Sequence, residues 1–248
     1  MITSRTRLDR YLSSQLKINR RDVRLMLAQA RVRVDQQPAT EIHQVIDRFS
    51  RVEVDGELLS AARPVYIMLN KPAGIVSATS DEQHRTVLEL LPKHLRENLH
   101  LVGRLDYNST GLVLLTNDGQ WSRTLTLPET KVSKRYRVHM AKPITEHCVR
   151  AFAEGMYFPY EGITTRPAKL SILSSHEAEV ILEEGRYHQI KRMFGRFQNE
   201  VLELHREAVG AIELDPGLSA GQWRFLNEDE IRMPGILMLK PGASLTTT

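Results

Sequence analysis

The chain has 248 residues, 41% of them hydrophobic and 26% charged, with a formal net charge of +4. That length holds one large core, or a core plus a small accessory domain, and the balance is that of a folded globular chain rather than a disordered one. No apolar run is long enough to cross a bilayer, the first ten residues lack the apolar stretch of a secretion signal, and the lone Cys148 can form neither an internal disulfide nor a cysteine zinc site, which together fit a reducing cytoplasm.

Charge is unevenly spread. Residues 1–33 hold nine Lys or Arg against Asp9 and Asp22, a surplus of seven, so the other 215 residues carry a net charge of −3. A basic head on a mildly acidic body suits phosphate contact, although a charge run can equally be a solvated face.

In chain order, the head reads as two short helices followed by strands. Thr6 and Asp9 form a capping signature, after which Leu8, Leu12 and Leu16 recur every four residues. Asn19 and Asp22 repeat the cap signal, and Val23, Leu27 and Ala30 mark the second apolar stripe, with Arg20, Arg21 and Arg24 off it. Residues 31–35 alternate with period two, which predicts a half-buried strand exposing Arg31 and Arg33. A second strand over 51–55 leads into a turn at Asp55-Gly56, and 61–64 reads as a linker. The order of these elements, with R-L-D-R-Y-L from Arg7 through Leu12 and R-R-D-V-R in the second helix, resembles the S4 RNA-binding module over residues 7 to about 60.

Beyond the linker, strands are predicted over 65–69, 111–116, 135–140, 178–183 and 209–214, and helices over 145–154 and 188–197. Strands that do not alternate regularly with helices argue for an α+β architecture with a mixed, largely antiparallel sheet. The tail from 233 to 248 is expected to be loosely ordered.

Three strings carry chemistry, and each also has an ordinary structural reading. Gly103-Arg104-Leu105-Asp106 sets a carboxylate on a polar loop before the apolar strand Leu112-Val113-Leu114-Leu115, a common place for catalytic groups and also for a capping turn. Glu184-Gly185-Arg186-Tyr187-His188-Gln189-Ile190-Lys191-Arg192 breaks at glycine and continues as a basic helix, which suits phosphate contact or a solvated face. Lys134-Arg135-Tyr136-Arg137 puts Tyr136 on one strand face and two arginines on the other; a buried tyrosine is usually core. There is no Walker A loop, no dinucleotide-binding glycine fingerprint and no His or Cys grouping at metal-ligand spacing, so neither cofactor nor metal is expected.

Taken together and in order, these strings resemble the RsuA/RluB-type pseudouridine synthases, from Met68-Leu69-Asn70-Lys71-Pro72 through Leu204-His205-Arg206. Within that family the chain looks closest to the RsuA type, which acts on 16S ribosomal RNA. The resemblance implies Asp106 as the essential carboxylate, Arg186 as the arginine paired with it, Tyr136 as the tyrosine against the uracil ring, and Leu204 as an apolar wall. A carboxylate in a closed pocket needs a nearby cation to stay charged. It also implies RNA contact through Arg7, Arg10, Arg20, Arg21, Arg24, Arg31, Arg33, Arg104, Lys191 and Arg192.

The expected organisation is an S4-like RNA-binding domain at 1–61, a pseudouridine synthase domain at 65–232 and a tail at 233–248. The expected partner is 16S ribosomal RNA, in the small subunit or an assembly intermediate, with the enzyme a cytoplasmic monomer. The alternatives are a 23S ribosomal RNA synthase of the RluB/RluE type and a non-catalytic S4-type assembly factor. A glycoside hydrolase would need a second carboxylate facing Asp106, and no motif marks one.

Overall fold

A computed structural model describes residues 5–47, 49–60 and 63–232 of the chain. The chain divides into two compact units, the first ending at Pro64 and the second beginning at Val65.

In the first unit, helices Leu8–Leu16 and Arg20–Ala28 accompany a four-stranded antiparallel sheet ordered Gln37–Pro38, Val32–Val34, Val52–Val54, Glu57–Ser60. Leu8, Leu12, Val23, Leu27, Val32 and Val52 form its core. Asn19 caps the second helix as expected, its side chain accepting from the amides of Arg21 and Asp22. The turn at Asp55-Gly56 has φ of 52° and 84°, the left-handed pair that joins two strands tightly.

Three expectations in this unit are corrected. Ala30 lies past the helix end and is exposed, and Met26 takes the core position instead. Thr6 does not cap the first helix, because its backbone is spent pairing with Ile46. Asp9 is fully buried and binds Arg7 and Arg20 at 2.6 and 2.5 Å. The Arg7 guanidinium beside Asp9 holds that carboxyl down to about 2, against the opposing push of burial.

The second unit is built on a nine-stranded sheet whose main path runs Lys169–Ile172, Glu177–Leu182, Lys134–Met140, Val201–Val209, Thr110–Thr116, Tyr66–Lys71, Trp223–Phe225. Every pairing is antiparallel except that of Thr110–Thr116 with Val201–Val209, so the fold is α+β as expected. Both faces of the central strands are covered. Val113 and Leu115 pack with Phe152, Phe194 and Met193 on one side, while Leu112 and Leu114 pack with Trp121 and Leu125 on the other. That double burial is why residues 112–115 are uniformly apolar.

The segment 209–214 is not one strand. Val201–Val209 ends there, turns at Gly210 and returns as Ile212–Glu213. The helix Gly119–Thr126 is not among the expected elements; it starts where the Asp118 carboxylate caps the amides of Gln120 and Trp121. Cys148, on the helix Glu146–Glu154, is buried in the core of this unit. The expected tail lies outside the described residues, as do Ala61 and Ala62 of the linker.

Candidate active site

The loop carrying Asp106 follows the strand His100–Val102 and enters Thr110–Thr116. Its shape is held from below. The Ser77 hydroxyl donates to the carbonyl of Leu105 at 2.7 Å and accepts from its amide at 3.1 Å. Lys71, fully buried, donates to the carbonyls of Pro72, Tyr107 and Ser109 at 3.0, 3.0 and 2.7 Å. Three carbonyls match the three hydrogens of an ammonium group. Burial pushes Lys71 down to about 8, while nearby Asp106 favours its charge and Lys191 opposes it. Leu105 packs into the core, which leaves the next side chain, Asp106, facing out.

Asp106 opens into a cleft also lined by Tyr136, Leu204, Arg104, Arg186 and His188. Tyr136 reaches it from the middle of Lys134–Met140, and Leu204 from the neighbouring strand Val201–Val209. The ring of Tyr136 is 7% exposed, and its hydroxyl has no hydrogen-bond partner among the described residues. The buried Ser109 hydroxyl at the cleft wall is likewise unpartnered among them.

A histidine and a lysine face the Asp106 carboxylate, one just before the helix Gln189–Gly195 and one in its first turn. His188 Nε2 lies 3.4 Å from Oδ1, and Lys191 Nζ lies 3.4 Å from Oδ2. Close charge-assisted hydrogen bonds run about 2.7–2.9 Å, so these groups balance the carboxylate without locking it. Tyr187, 75% exposed, stacks on His188 with ring centroids 3.9 Å apart.

This arrangement corrects several expected roles. Arg186 is not paired with Asp106; its Nε donates to Glu184 at 3.0 Å, because the chain turns after Gly185 and swings the guanidinium onto the preceding acid. Lys191 stands against Asp106 and is not a free backbone contact. Arg192 lies over the Phe158 ring, 3.8 Å from its centroid, and both its terminal nitrogens bind Glu161. In the first unit Arg7 and Arg20 hold Asp9, Arg31 binds Asp55 at 2.6 Å, and Arg33 donates to the Gln36 carbonyl. Arg10, Arg21 and Arg24 remain exposed with no ion pair among the described residues, and Arg104 is exposed at the cleft.

Two buried cations escaped the sequence reading, Lys71 and Arg206. A signal existed in both cases: Lys71 ends the largely apolar strand Tyr66–Lys71, and Arg206 falls in phase with Leu204 and Ala208 on the buried face of Val201–Val209.

A cleft with one accessible carboxylate, a lysine and a histidine beside it and an inward tyrosine, set on a mixed sheet, has the makings of an enzyme active site. The family model for RNA pseudouridylate synthases matches residues 65–195. The chain is 52% identical over 226 residues to ribosomal small subunit pseudouridine synthase A of Pseudomonas aeruginosa, an alignment covering 91% of this chain and 98% of that protein. It is 39% identical to the protein of the same name from Escherichia coli, again over 91% of this chain and 98% of that one. A crystal structure of a pseudouridylate synthase superposes with a TM-score of 0.67 at 36% identity, covering 92% of this chain and 98% of that one. The chain belongs to the RNA pseudouridylate synthase family. It is an RNA pseudouridine synthase.

Proposed function

We propose that this protein converts a uridine of 16S ribosomal RNA to pseudouridine, with Asp106 as the essential carboxylate. The observation that carries the site assignment is the meeting of Asp106, Tyr136 and Leu204 in one cleft, from a loop and two adjacent strands. The choice of 16S ribosomal RNA rests on the small-subunit names of relatives that align over nine-tenths of the chain.

The reaction breaks the N1–C1′ bond of uridine, turns the freed uracil, and joins C5 to C1′. C5 gives up a proton and N1 gains one, so the product is an isomer and no electrons are exchanged. Asp106 serves at C1′, where its loosely held carboxylate meets positive charge developing on the sugar. The Tyr136 ring and the Leu204 side chain sandwich the base while it turns. The Tyr136 hydroxyl has no hydrogen-bond partner among the described residues, and as a phenolate it would accept the proton that C5 gives up. Lys191 and His188 in its protonated form balance the carboxylate, the part the sequence reading gave to Arg186. Extruding the uridine costs a few kcal/mol, offset by stacking and phosphate contacts.

In this reading the first unit is an S4-like RNA-binding domain, with Arg10, Arg21 and Arg24 as its open phosphate contacts, and the enzyme works as a monomer in the cytoplasm on the small subunit or its assembly intermediates. No described helix is long and apolar enough to cross a membrane. Mapping pseudouridines across ribosomal RNA from cells lacking the protein tests the proposal. One 16S position should lose its pseudouridine and regain it on complementation; a lost 23S position, with 16S unchanged, would overturn the substrate assignment.

A further inference from the structure

Beside the catalytic cleft lies a second one, sharing Arg104, Tyr136, Gly185 and Arg186 as a common wall. Its floor is Arg206, 2% exposed. The guanidinium Nε donates to the Leu112 carbonyl at 2.7 Å and Nη1 to the Arg104 carbonyl at 3.3 Å. Nη2 has no hydrogen-bond partner among the described residues, and Arg206 forms no ion pair with any of them. A buried cation without a carboxylate is costly, and a buried donor left unpaired adds to that cost.

The walls increase the imbalance. Lys134, half-buried, contributes a second cation; burial first, and then the nearby Arg206 charge, press its affinity for the proton down. Arg166 adds a third, with Nη1 donating to the Pro128 carbonyl at 3.0 Å. Two acids line the same cleft. Glu184 is spent on Arg186 Nε, the Arg166 amide and the Gln189 amide group, at 3.0, 2.8 and 2.6 Å. Glu183 is exposed at the rim. The cations therefore exceed the available carboxylates, around a donor that no described residue satisfies.

We infer that this second cleft binds a phosphate of the substrate RNA next to the extruded uridine, with Lys134 and Arg166 as its direct ligands and Arg206 as the positive floor. The inference rests on the synthase reading, since the shared wall is what ties this phosphate to the nucleotide in the catalytic cleft. The site fixes the sugar–phosphate backbone on one side of Tyr136 while the base turns on the other. Anion contacts of this kind position the RNA without reading its sequence.

The test uses the full-length protein and a 16S ribosomal RNA fragment that contains the modified uridine. Single phosphates around that uridine are replaced, one at a time, by uncharged methylphosphonates, and Kd is measured for the wild type, Lys134→Gln and Arg166→Gln. One replacement should weaken wild-type binding about tenfold but weaken each variant only about threefold, because one of its two charge partners is already gone. The slope of log Kd against log salt should also fall by about 0.7 in each variant. Wild-type affinity and salt slope in both variants, with no replacement coupled to either, would overturn the phosphate site. Coupling to a phosphate far from the uridine would overturn its placement. Wild-type turnover on the unmodified fragment is scored separately, so failure of the synthase reading is told apart from failure of this one.

Discussion

Lys71 shows how one buried side chain can act on the site and on stability in opposite senses. Its ammonium holds three carbonyls of the Asp106 loop and its neighbourhood, yet burial lowers its pKa to about 8. As pH rises through 8 the folded protein loses that proton, one of the three carbonyls loses its donor, and a positive charge near Asp106 disappears. Turnover should therefore decline above about pH 8. Global stability should move the other way on account of this group. Between pH 8 and about 10.4 the unfolded chain keeps its lysine proton while the folded one does not, so unfolding free energy rises with pH across that window. Below pH 8 both states are charged and the group contributes no slope. Turnover and urea unfolding measured in parallel from pH 7 to 10, in wild type and Lys71→Met, check this. The alkaline loss of turnover should be absent from whatever activity Lys71→Met retains. An identical alkaline limb in both would assign it to another group.

At the scale of elements, the strand crossing that carries the site depends on one glycine. Thr110–Thr116 and Val201–Val209 pair in parallel at Thr110↔His205 and Gly111↔Arg206, with Gly111 at φ 102°. A Cβ at Gly111 would lie 2.3 Å from the Arg206 carbonyl oxygen. Gly111→Ala should thus cost about 3 kcal/mol in stability and disturb Asp106 and Arg206 together. Chemical denaturation measures the first effect and turnover the second; a loss below about 0.5 kcal/mol would show that the strands have room to separate. Much of this region was legible in the sequence. The apolar run over 112–115, the alternation around Tyr136 and the polar loop at Asp106 each marked its element correctly, and the family resemblance joined them. Which cation meets Asp106 was not legible, because it depends on the rotation of the helix Gln189–Gly195 and on the turn at Gly185. A string of basic residues specifies neither, so Arg186 took the role that belongs to Lys191 and His188. Arg206 was hidden for a related reason: the strand that holds it was placed from 209 onward, eight residues late.

For the whole molecule, the two units have separate cores, and the proposed reading gives RNA binding to the first and chemistry to the second. The synthase unit encloses its own hydrophobic clusters and shares none of their residues with the first unit. Removal of residues 1–64 should leave a folded body that binds 16S ribosomal RNA more weakly. With Arg10, Arg21 and Arg24 gone as open phosphate contacts, the slope of log Kd against log salt should fall by about 2–3. Filter binding at several salt concentrations checks this, and an unchanged slope would make the basic head a solvated face. The surplus of seven positive charges in residues 1–33 overstates what is available to RNA, since Asp9 and Asp55 already hold Arg7, Arg20 and Arg31. Composition counts charges, whereas folding decides which of them stay open. The central claim concerns one carboxylate, and the most direct test is turnover of wild type and Asp106→Asn on 16S ribosomal RNA, with fold and RNA affinity measured on the same preparations. The expected result is pseudouridine from the wild type and none from Asp106→Asn, at equal thermal stability and similar Kd. Substantial pseudouridine formation by a folded Asp106→Asn protein would contradict the assignment of this cleft as the site of catalysis.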